Sequence, residues 1–279
     1  MRVFCVCSTI FLIFFSSQSL YAQDLTVSAV YKVQFGGVEL GKFRFQSVVE
    51  NNNYKITGRT KLKLMSGLAM DWRMNIHSKG EVTHAGPQPM NFGYSFQNRK
   101  GKAKKRNITF NQLPNGDLEV LPKPKVRKGH IPLRQAHLKN VYDPLSALIK
   151  LTLNEGEPLG RGVCNKTIRL FDGKERYDIA FQYKSVKVAE VGHKKLSKAK
   201  SYVCSLKYIP VSGHKPSDKT KKYMANAKAI EVWFIPSKNA GIYIPHKINI
   251  PTPFGTDTTI KVRSFTVQKS GGKPVRLVR

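Results

Sequence analysis

Residues 25–35 read LTVSAVYKVQF and alternate apolar with mostly polar side chains over their whole length. A repeat of two residues is the pattern of a β-strand that buries one face. Gly36 and Gly37 follow directly, and two glycines permit the tight turn of a hairpin. The stretch therefore predicts the first strand of an antiparallel sheet. The apolar side chains of this strand, which we expect on its buried face, are those of Leu25, Val27, Ala29, Tyr31, Val33 and Phe35.

The same alternation recurs along the rest of the chain. Phe43 and Phe45 alternate with Lys42 and Arg44, and similar short segments continue as far as residues 258–268. The spacing of turn residues predicts about a dozen short strands. We predict a mainly β fold, with a single curled antiparallel sheet or partly open barrel over residues 23–270. Residues 271–279 are predicted to form a flexible basic tail.

Residues 142–153, YDPLSALIKLTL, predict one short helix. Asp143 is a favoured N-cap residue, and Pro144 suits the first helical position. The helix is apolar around much of its girth, so it needs cover on several sides. We expect it to plug the mouth or the concave face of the curled sheet. Residues 213–222 are predicted as a hairpin tip.

The N-terminus has the features of a secretory signal. Arg2 precedes an apolar run at residues 3–15, which is too short to span a bilayer comfortably. Polar residues and Leu20-Tyr21-Ala22 follow, so we predict a signal peptide over residues 1–22 with cleavage after Ala22. The expected location is the periplasm. An uncleaved anchor is the alternative.

Cys164 and Cys204 are the two cysteines that remain after such processing. Two cysteines in an exported chain usually pair, and a loop of this length gives about 4 kcal/mol in the chain-entropy estimate. Both have strand-like surroundings, which favours a structural disulfide between neighbouring strands. A redox pair or a metal site stays open as an alternative, although neither cysteine lies in a C-x-x-C motif.

The charge balance is extreme, with 48 Lys and Arg against 17 Asp and Glu and a formal net charge of +31. Such a field attracts polyanions at long range, although a solvated basic surface is the alternative. Export argues against nucleic acid and favours the cell envelope. Two basic segments are predicted loops whose cations would contact anionic headgroups: Arg99, Lys100, Lys102, Lys104, Lys105, Arg106, Lys123, Lys125, Arg127 and Lys128.

A methionine-rich segment is the candidate surface for an apolar ligand. Flexible methionine side chains suit adaptable apolar surfaces, and they also fill ordinary cores. We expect the ligand-contacting residues to be Met65, Leu68, Met70, Trp72, Met74 and Ile76, together with Leu145 and Leu148 of the predicted helix.

Motifs for catalysis were sought and not found. The sequence contains no G-x-S-x-G elbow, no phosphate-binding loop and no G-x-G-x-x-G. The seven histidines do not have the spacing of a helical metal site. We therefore expect a protein that is not an enzyme and that uses no metal and no cofactor.

Several segments together resemble a known family. They are residues 38–43, 142–148, 164–178, 202–204, 210–214, 230–233 and 250–252, which include DPLSAL, a cysteine before FDG, and EVW. In this order they resemble the exported proteins of domain-of-unknown-function family 3108 from Gram-negative bacteria. The resemblance implies a periplasmic β protein with Cys164 and Cys204 bridged, and it supplies no catalytic residues.

The sequence thus leads to a functional expectation. We expect a non-enzymatic periplasmic envelope protein, a monomer, that binds an anionic lipid or another amphiphile on a concave apolar sheet face. Expected partners are envelope lipid, lipopolysaccharide or an envelope protein, with peripheral membrane contact and no nucleic acid. The alternatives are a structural envelope protein with a sealed core, and a hydrolase with an unrecognised site.

Overall fold

The computed structural model describes residues 24–64, 70–115, 118–125, 127–153, 159–191, 198–227, 230–253 and 255–278. The predicted signal peptide at residues 1–22 lies outside these ranges. Within them the chain is built mainly of antiparallel strands, as the alternation predicts. The strands are β1 (Leu25–Phe35), β2 (Val38–Glu50), β3 (Asn53–Leu64), β4 (Met70–Thr83), β5 (Gly86–Asn98), β6 (Ala103–Gln112), β7 (Leu118–Leu121), β8 (Lys166–Phe171), β9 (Arg176–Glu190), β10 (Lys198–Ser212), β11 (Glu231–Ser237), β12 (Ile242–Pro251), β13 (Asp257–Lys269) and β14 (Val275–Val278).

All fourteen strands belong to one sheet. Its order is β7-β6-β5-β4-β3-β2-β1-β13-β12-β11-β10-β9-β8, and β14 pairs with β13. Strands that are neighbours along this order are also neighbours in sequence, except β1 and β13, so two meanders join at that pair. The prediction of one curled antiparallel sheet is confirmed, with β7 and β8 as its open ends.

One short helix, α1 (Ser146–Thr152), packs on the inner side of the sheet. Leu145 and Ile149 join the apolar cluster of β3 to β7, whereas Ala147 and Leu151 join the cluster of β8 to β12. A helix that contacts both meanders needs apolar residues around much of its girth, which explains the unusual composition of this segment.

The start of α1 differs from the prediction. Asp143 does accept hydrogen bonds from the amides of Leu145 and Ser146, at 2.8 and 3.1 Å. Residues 144 and 145 form a turn, however, and the helix begins at Ser146 rather than at Pro144. The amide of Ala147 donates to the carbonyl of Asp143 at 3.0 Å. By contrast, the amide of Leu148 donates to the carbonyl of Leu145 in a tighter turn, so the regular α-helix begins only at Ser146.

Two further segments differ from the sequence predictions. The predicted hairpin tip contains a second helix, α2 (Lys219–Asn226), whose N-cap Asp218 accepts from the amide of Lys221. The ammonium of Lys221 pairs with the buried Glu175 and holds α2 against the β8–β9 hairpin. The predicted flexible tail contains β14, because Val278 is buried where β12 diverges from β13.

Cys164 and Cys204 are bonded, as the sequence favoured, but they do not join neighbouring strands. Cys164 ends a short 3-10 turn at Arg161–Cys164, and Cys204 lies in β10. Strand β9 separates β10 from β8, so the bond fastens the segment before β8 to a strand two positions away. Both sulfur-bearing residues are fully buried in the cluster that α1 covers.

Candidate ligand cavity

An apolar cavity of about 180 Å³ lies between α1 and the middle of the sheet. Its walls come from the place where the two meanders join. Strands β1 and β2 contribute Tyr31, Phe43 and Phe45 among others, and β13 contributes Ile260 and Phe265. In β1 and β2 these inward positions follow from the alternation that defines the strands, whereas in β13 a bulge between Ile260 and Phe265 shifts the alternation by one residue.

The helix and β12 complete the enclosure. Leu148, Ile149 and Leu153 reach the cavity from α1 and its end, and Ile242 and Ile248 reach it from β12. An engineered apolar cavity of about 150 Å³ binds benzene, so this volume accommodates a ring or the end of an acyl chain. It is smaller than the roughly 300–1,000 Å³ of typical drug-sized pockets.

Four hydroxyl groups belong to the lining. Thr152 donates to a backbone carbonyl one turn earlier at 2.6 Å, and Tyr243 donates to the carbonyl of Gly160 at 3.0 Å. The hydroxyls of Tyr31 and Ser47 have no hydrogen-bond partner among the described residues. Burial raises the pKa of Tyr31, so its phenol stays protonated and remains a donor. These two groups can bind a polar atom of an enclosed ligand.

A buried carboxylate positions the helix that closes the cavity. Asp143 is fully buried, and its carboxylate accepts from the hydroxyls of Ser78 and Ser146 at 2.8 and 2.5 Å. Ser78 lies in β4, so this hydrogen bond fastens the start of α1 directly to the sheet. Two backbone amides complete four hydrogen bonds to one carboxylate, which is the number that satisfies its lone pairs.

The electrostatics of this group reflect its burial. Desolvation raises the pKa of Asp143, and the hydrogen bonds from Ser146 and Ser78 oppose that rise. Burial and then the charge of Asp143 raise the pKa of Tyr54 nearby. Because every acceptor site of Asp143 is occupied and the group has no solvent contact, the arrangement serves to position α1 and offers no accessible acid or base.

A buried histidine lies in the β12 wall of the cavity. His246 is 2% exposed and stands between two lining residues, Pro245 and Ile248, where the register with β11 shifts. Burial, and then the positive charges of Lys261 and Lys247, lower the pKa of His246 to about 4. The ring is therefore neutral near pH 7.

Of the five predicted ligand residues whose side chains the structure describes, only Leu148 lines the cavity. Leu145 packs in the core beside it. Met65 and Leu68 lie outside the described residues, as does the side chain of Met70. Trp72 is 44% exposed and packs edge-on against Phe96 at 5.8 Å, and Met74 and Ile76 are half-buried on the same strand. The described part of the methionine-rich segment thus lies away from the cavity, because β4 is two strands from β2.

The predicted headgroup cations also lie apart from the cavity, since none of the ten lines it. Arg99, Lys100, Lys102, Lys104, Lys105 and Arg106 surround the β5–β6 turn, and Lys123, Lys125, Arg127 and Lys128 lie in the segment after β7. Two of them are occupied in holding the fold. Arg106 donates to the carbonyl of Gly173 at 2.7 Å, and Arg127 donates to that of Gly213 at 3.0 Å.

The residues that do line the cavity were not selected from the sequence. Alternation marks their inward positions in β1 and β2. In β12 and β13 a bulge shifts the alternation by one residue, so Pro245 and Ile248 line the same cavity although they differ in parity. Alternation does not reveal that β1 pairs with β13, which is the contact that forms the cavity.

In the described ranges, no three His, Cys, Asp or Glu residues come together in a way that could hold a metal ion. Within the same ranges, no helix combines the length and the apolar character needed to cross a bilayer.

Comparisons with known proteins agree with this fold. The sequence profile of a family described as "Protein of unknown function (DUF3108)" matches residues 30–263. A crystal structure of a β-barrel-like protein of domain of unknown function DUF1849 from Brucella abortus is similar, with a TM-score of 0.53 and 11% sequence identity. The match covers 89% of this chain and 99% of that one, and at this identity it supports the fold alone. No curated protein matches the chain.

Proposed function

The chain belongs to the DUF3108 family, and from that premise we propose that it is a non-enzymatic protein of the bacterial envelope that binds an anionic amphiphile. The observation that carries this proposal is the apolar cavity of about 180 Å³ between α1, β1, β2, β12 and β13. A space lined by apolar side chains in a folded core gains from being filled, because an empty cavity loses dispersion contacts along its whole wall.

The cavity supports a particular mode of binding. Its volume suits the end of one acyl chain rather than a whole lipid, so the rest of the ligand would extend outward. The free hydroxyls of Tyr31 and Ser47 supply the polar contacts within reach of the enclosed part. Each buried methylene contributes about 0.8 kcal/mol, so about five buried methylenes give about 4 kcal/mol, which corresponds to millimolar affinity. Attraction between the anionic headgroup and the basic protein would add to that affinity.

The preference for an anionic ligand follows from charge. A net charge of +31 concentrates negatively charged molecules around the protein and repels cationic ones. The N-terminal segment has the pattern of an export signal, which supports a location in the periplasm, where anionic amphiphiles are abundant.

A titration with decyl phosphate tests the proposal. Binding is measured by calorimetry for the unmodified protein, for Leu148→Trp and for Leu133→Trp. Leu148 lines the cavity, whereas Leu133 is a half-buried leucine that packs on the core elsewhere. We expect Leu148→Trp to weaken binding about tenfold or more. The larger indole would fill space that two or more methylenes of the ligand otherwise occupy, and each methylene contributes about 0.8 kcal/mol. Leu133→Trp should bind like the unmodified protein.

The controls separate the alternatives. Decyl trimethylammonium has the same chain and the opposite charge, and it should bind more weakly at low salt. Equal binding by both leucine variants would contradict a cavity site. Absence of any binding would favour the alternative of a structural envelope protein with a sealed core.

A further inference from the structure

The outer face of the sheet carries a continuous row of cations that the register creates. Six residues on six adjacent strands, from β12 through β13, β1, β2 and β3 to β4, stand directly opposite one another in successive pairs. In order they are Lys247, Lys261, Lys32, Lys42, Lys61 and Arg73. We call these six residues the cation row. Neighbouring strands are about 4.8 Å apart, so the row extends over about 24 Å.

The cation row is unfavourable within the chain itself. Like charges directly opposite each other on a sheet destabilise the pair. Glu39 lies 3.5 Å from Lys32 and 3.9 Å from Lys42, and Asp71 lies 3.8 Å from Arg73. Two carboxylates against six cations leave a large excess of positive charge in one line. An external anion would remove that repulsion.

The cation row follows the convex side of the curled sheet. Its members are sequence neighbours of cavity-lining residues: Lys42 precedes Phe43, Lys247 precedes Ile248, and Lys261 follows Ile260. Alternation therefore directs them outward. Midway along the row, between β2 and β3, a shallow groove of about 330 Å³ is lined by basic side chains that include Lys42 and Lys61.

Shape selects among polyanions. A flat membrane or a stiff nucleic-acid duplex can touch only a few strands of a convex surface at once. Proteins that bind single-stranded nucleic acid combine a basic groove with a series of aromatic platforms for successive bases. All six positions of the row are lysine or arginine, and the row meets a single indole at one end, so such a series is missing from it. A flexible linear polysaccharide with one acidic group per sugar can follow the curve and repeats its charge at close to the strand spacing.

An aromatic residue continues the row at one end. Trp233 in β11 stands opposite Lys247, and the ammonium groups of Lys187 and Lys247 lie 5.1 and 5.2 Å from its ring centre. The apolar face of a pyranose ring packs on an indole, which neither polyphosphate nor a headgroup phosphate can do. We propose that the cation row, with Trp233 at its end, binds an acidic polysaccharide that carries one negative group per sugar.

Oligogalacturonates of increasing length provide the probe, since each sugar carries one carboxylate and no acyl chain. Binding is measured at low salt for the unmodified protein and for two triple variants. The row variant is Lys42→Gln, Lys61→Gln and Lys261→Gln. The control variant is Lys207→Gln, Lys219→Gln and Lys222→Gln, which removes the same charge from exposed positions on β10 and α2.

We expect affinity to rise with oligomer length and to level off once the chain spans the row. The row variant should lose about tenfold in affinity, because each exposed ion pair contributes only a few-fold. The control variant should lose less than about twofold, as expected for a change in net charge screened by salt. Trp233→Ala should weaken binding without changing the salt dependence.

Other outcomes would overturn the proposal. Equal losses in both triple variants would mean that only net charge matters. Stronger binding to phosphatidylglycerol vesicles or to single-stranded DNA than to the oligogalacturonate would assign the row to a membrane or to nucleic acid. The probe has no acyl chain, and the cation row lies on the outer face of the sheet, away from the cavity. Binding of the oligogalacturonate is therefore independent of ligand binding in the cavity.

Discussion

The two faces of the sheet are opposite in character at the place where the meanders join. On the inner face, Tyr31, Phe43 and Ile260 line an apolar cavity. On the outer face, their immediate neighbours Lys32, Lys42 and Lys261 form a line of like charges. Both surfaces therefore come from the same few positions of the same strands.

The inner face accounts for the stability of the fold, and the outer face for the proposed binding of charged molecules. The inner face supplies the buried contacts that hold the sheet around α1, and the cavity interrupts that packing. The outer face supplies repulsion, which no folding requirement explains. We infer that changes inside should alter stability strongly and that changes in the cation row should alter it little.

The largest effect is expected from Asp143, which fastens α1 to the inner face. Asp143→Ala removes four hydrogen bonds from a fully buried group and leaves buried donors without partners. We expect the free energy of unfolding to fall by about 3 kcal/mol, measured by urea denaturation. Asp143→Asn keeps the shape and the acceptor for the backbone amides, so it should be much less destabilising.

The pH dependence of the free energy of unfolding gives a second test at Asp143. Because burial raises the pKa of Asp143, the folded protein retains this proton at pH values where the unfolded chain has lost it. The contribution of this group to stability therefore falls as the pH rises through its folded pKa, and Asp143→Asn should remove that part of the pH dependence. An Asp143→Ala protein as stable as the unmodified one would show that the carboxylate does not hold the helix.

The next effect concerns His246, which lies between the two faces. Its folded pKa is about 4 against an ordinary value of 6.5, so the unfolded chain takes up the proton first as the pH falls. Stability should therefore drop by about 2 kcal/mol between pH 6.5 and pH 4. His246→Gln should flatten that decline in thermal melts, whereas His84→Gln, at an exposed position, should leave it as it is. The same slope in all three proteins would rule out His246 as its cause.

The smallest effect is expected on the outer face. Lys61 stands between Lys42 and Arg73, so Lys61→Gln removes two like-charge contacts. We expect a gain of a few tenths of a kcal/mol in unfolding free energy at low salt, and no gain at high salt where the charges are screened. Lys219→Gln on α2 should show no comparable gain. A loss of stability in Lys61→Gln would mean that the row contributes to the fold.

Local sequence patterns predicted much of the fold. Alternation in residues 25–35 and its repeats predicted an antiparallel curled sheet, and Asp143 with the apolar residues after it predicted the helix against its inner side. These are properties of neighbouring residues, so a pattern search can find them. Helix α2 was missed because its sequence, KTKKYMAN, buries no side chain and therefore shows no apolar stripe.

The candidate sites could not be predicted in the same way, because both depend on pairings distant in sequence. The cavity exists because β1 meets β13, and the cation row exists because the register places Lys32 opposite both Lys42 and Lys261. A one-residue change in register would destroy the row and leave the alternation of each strand unchanged. The methionine-rich segment attracted attention by composition, yet its strand lies away from the cavity.

The most direct test of the central claim is to identify what the cavity holds. The protein is purified from the periplasm of an expressing bacterium, extracted with organic solvent, and the extract is analysed by lipid mass spectrometry beside that of Leu148→Trp. The account predicts an anionic species with an acyl chain in near-stoichiometric amount, and much less of it from the variant. An empty extract from the unmodified protein, together with no uptake of decyl phosphate at low salt, would contradict the claim that the cavity is a binding site.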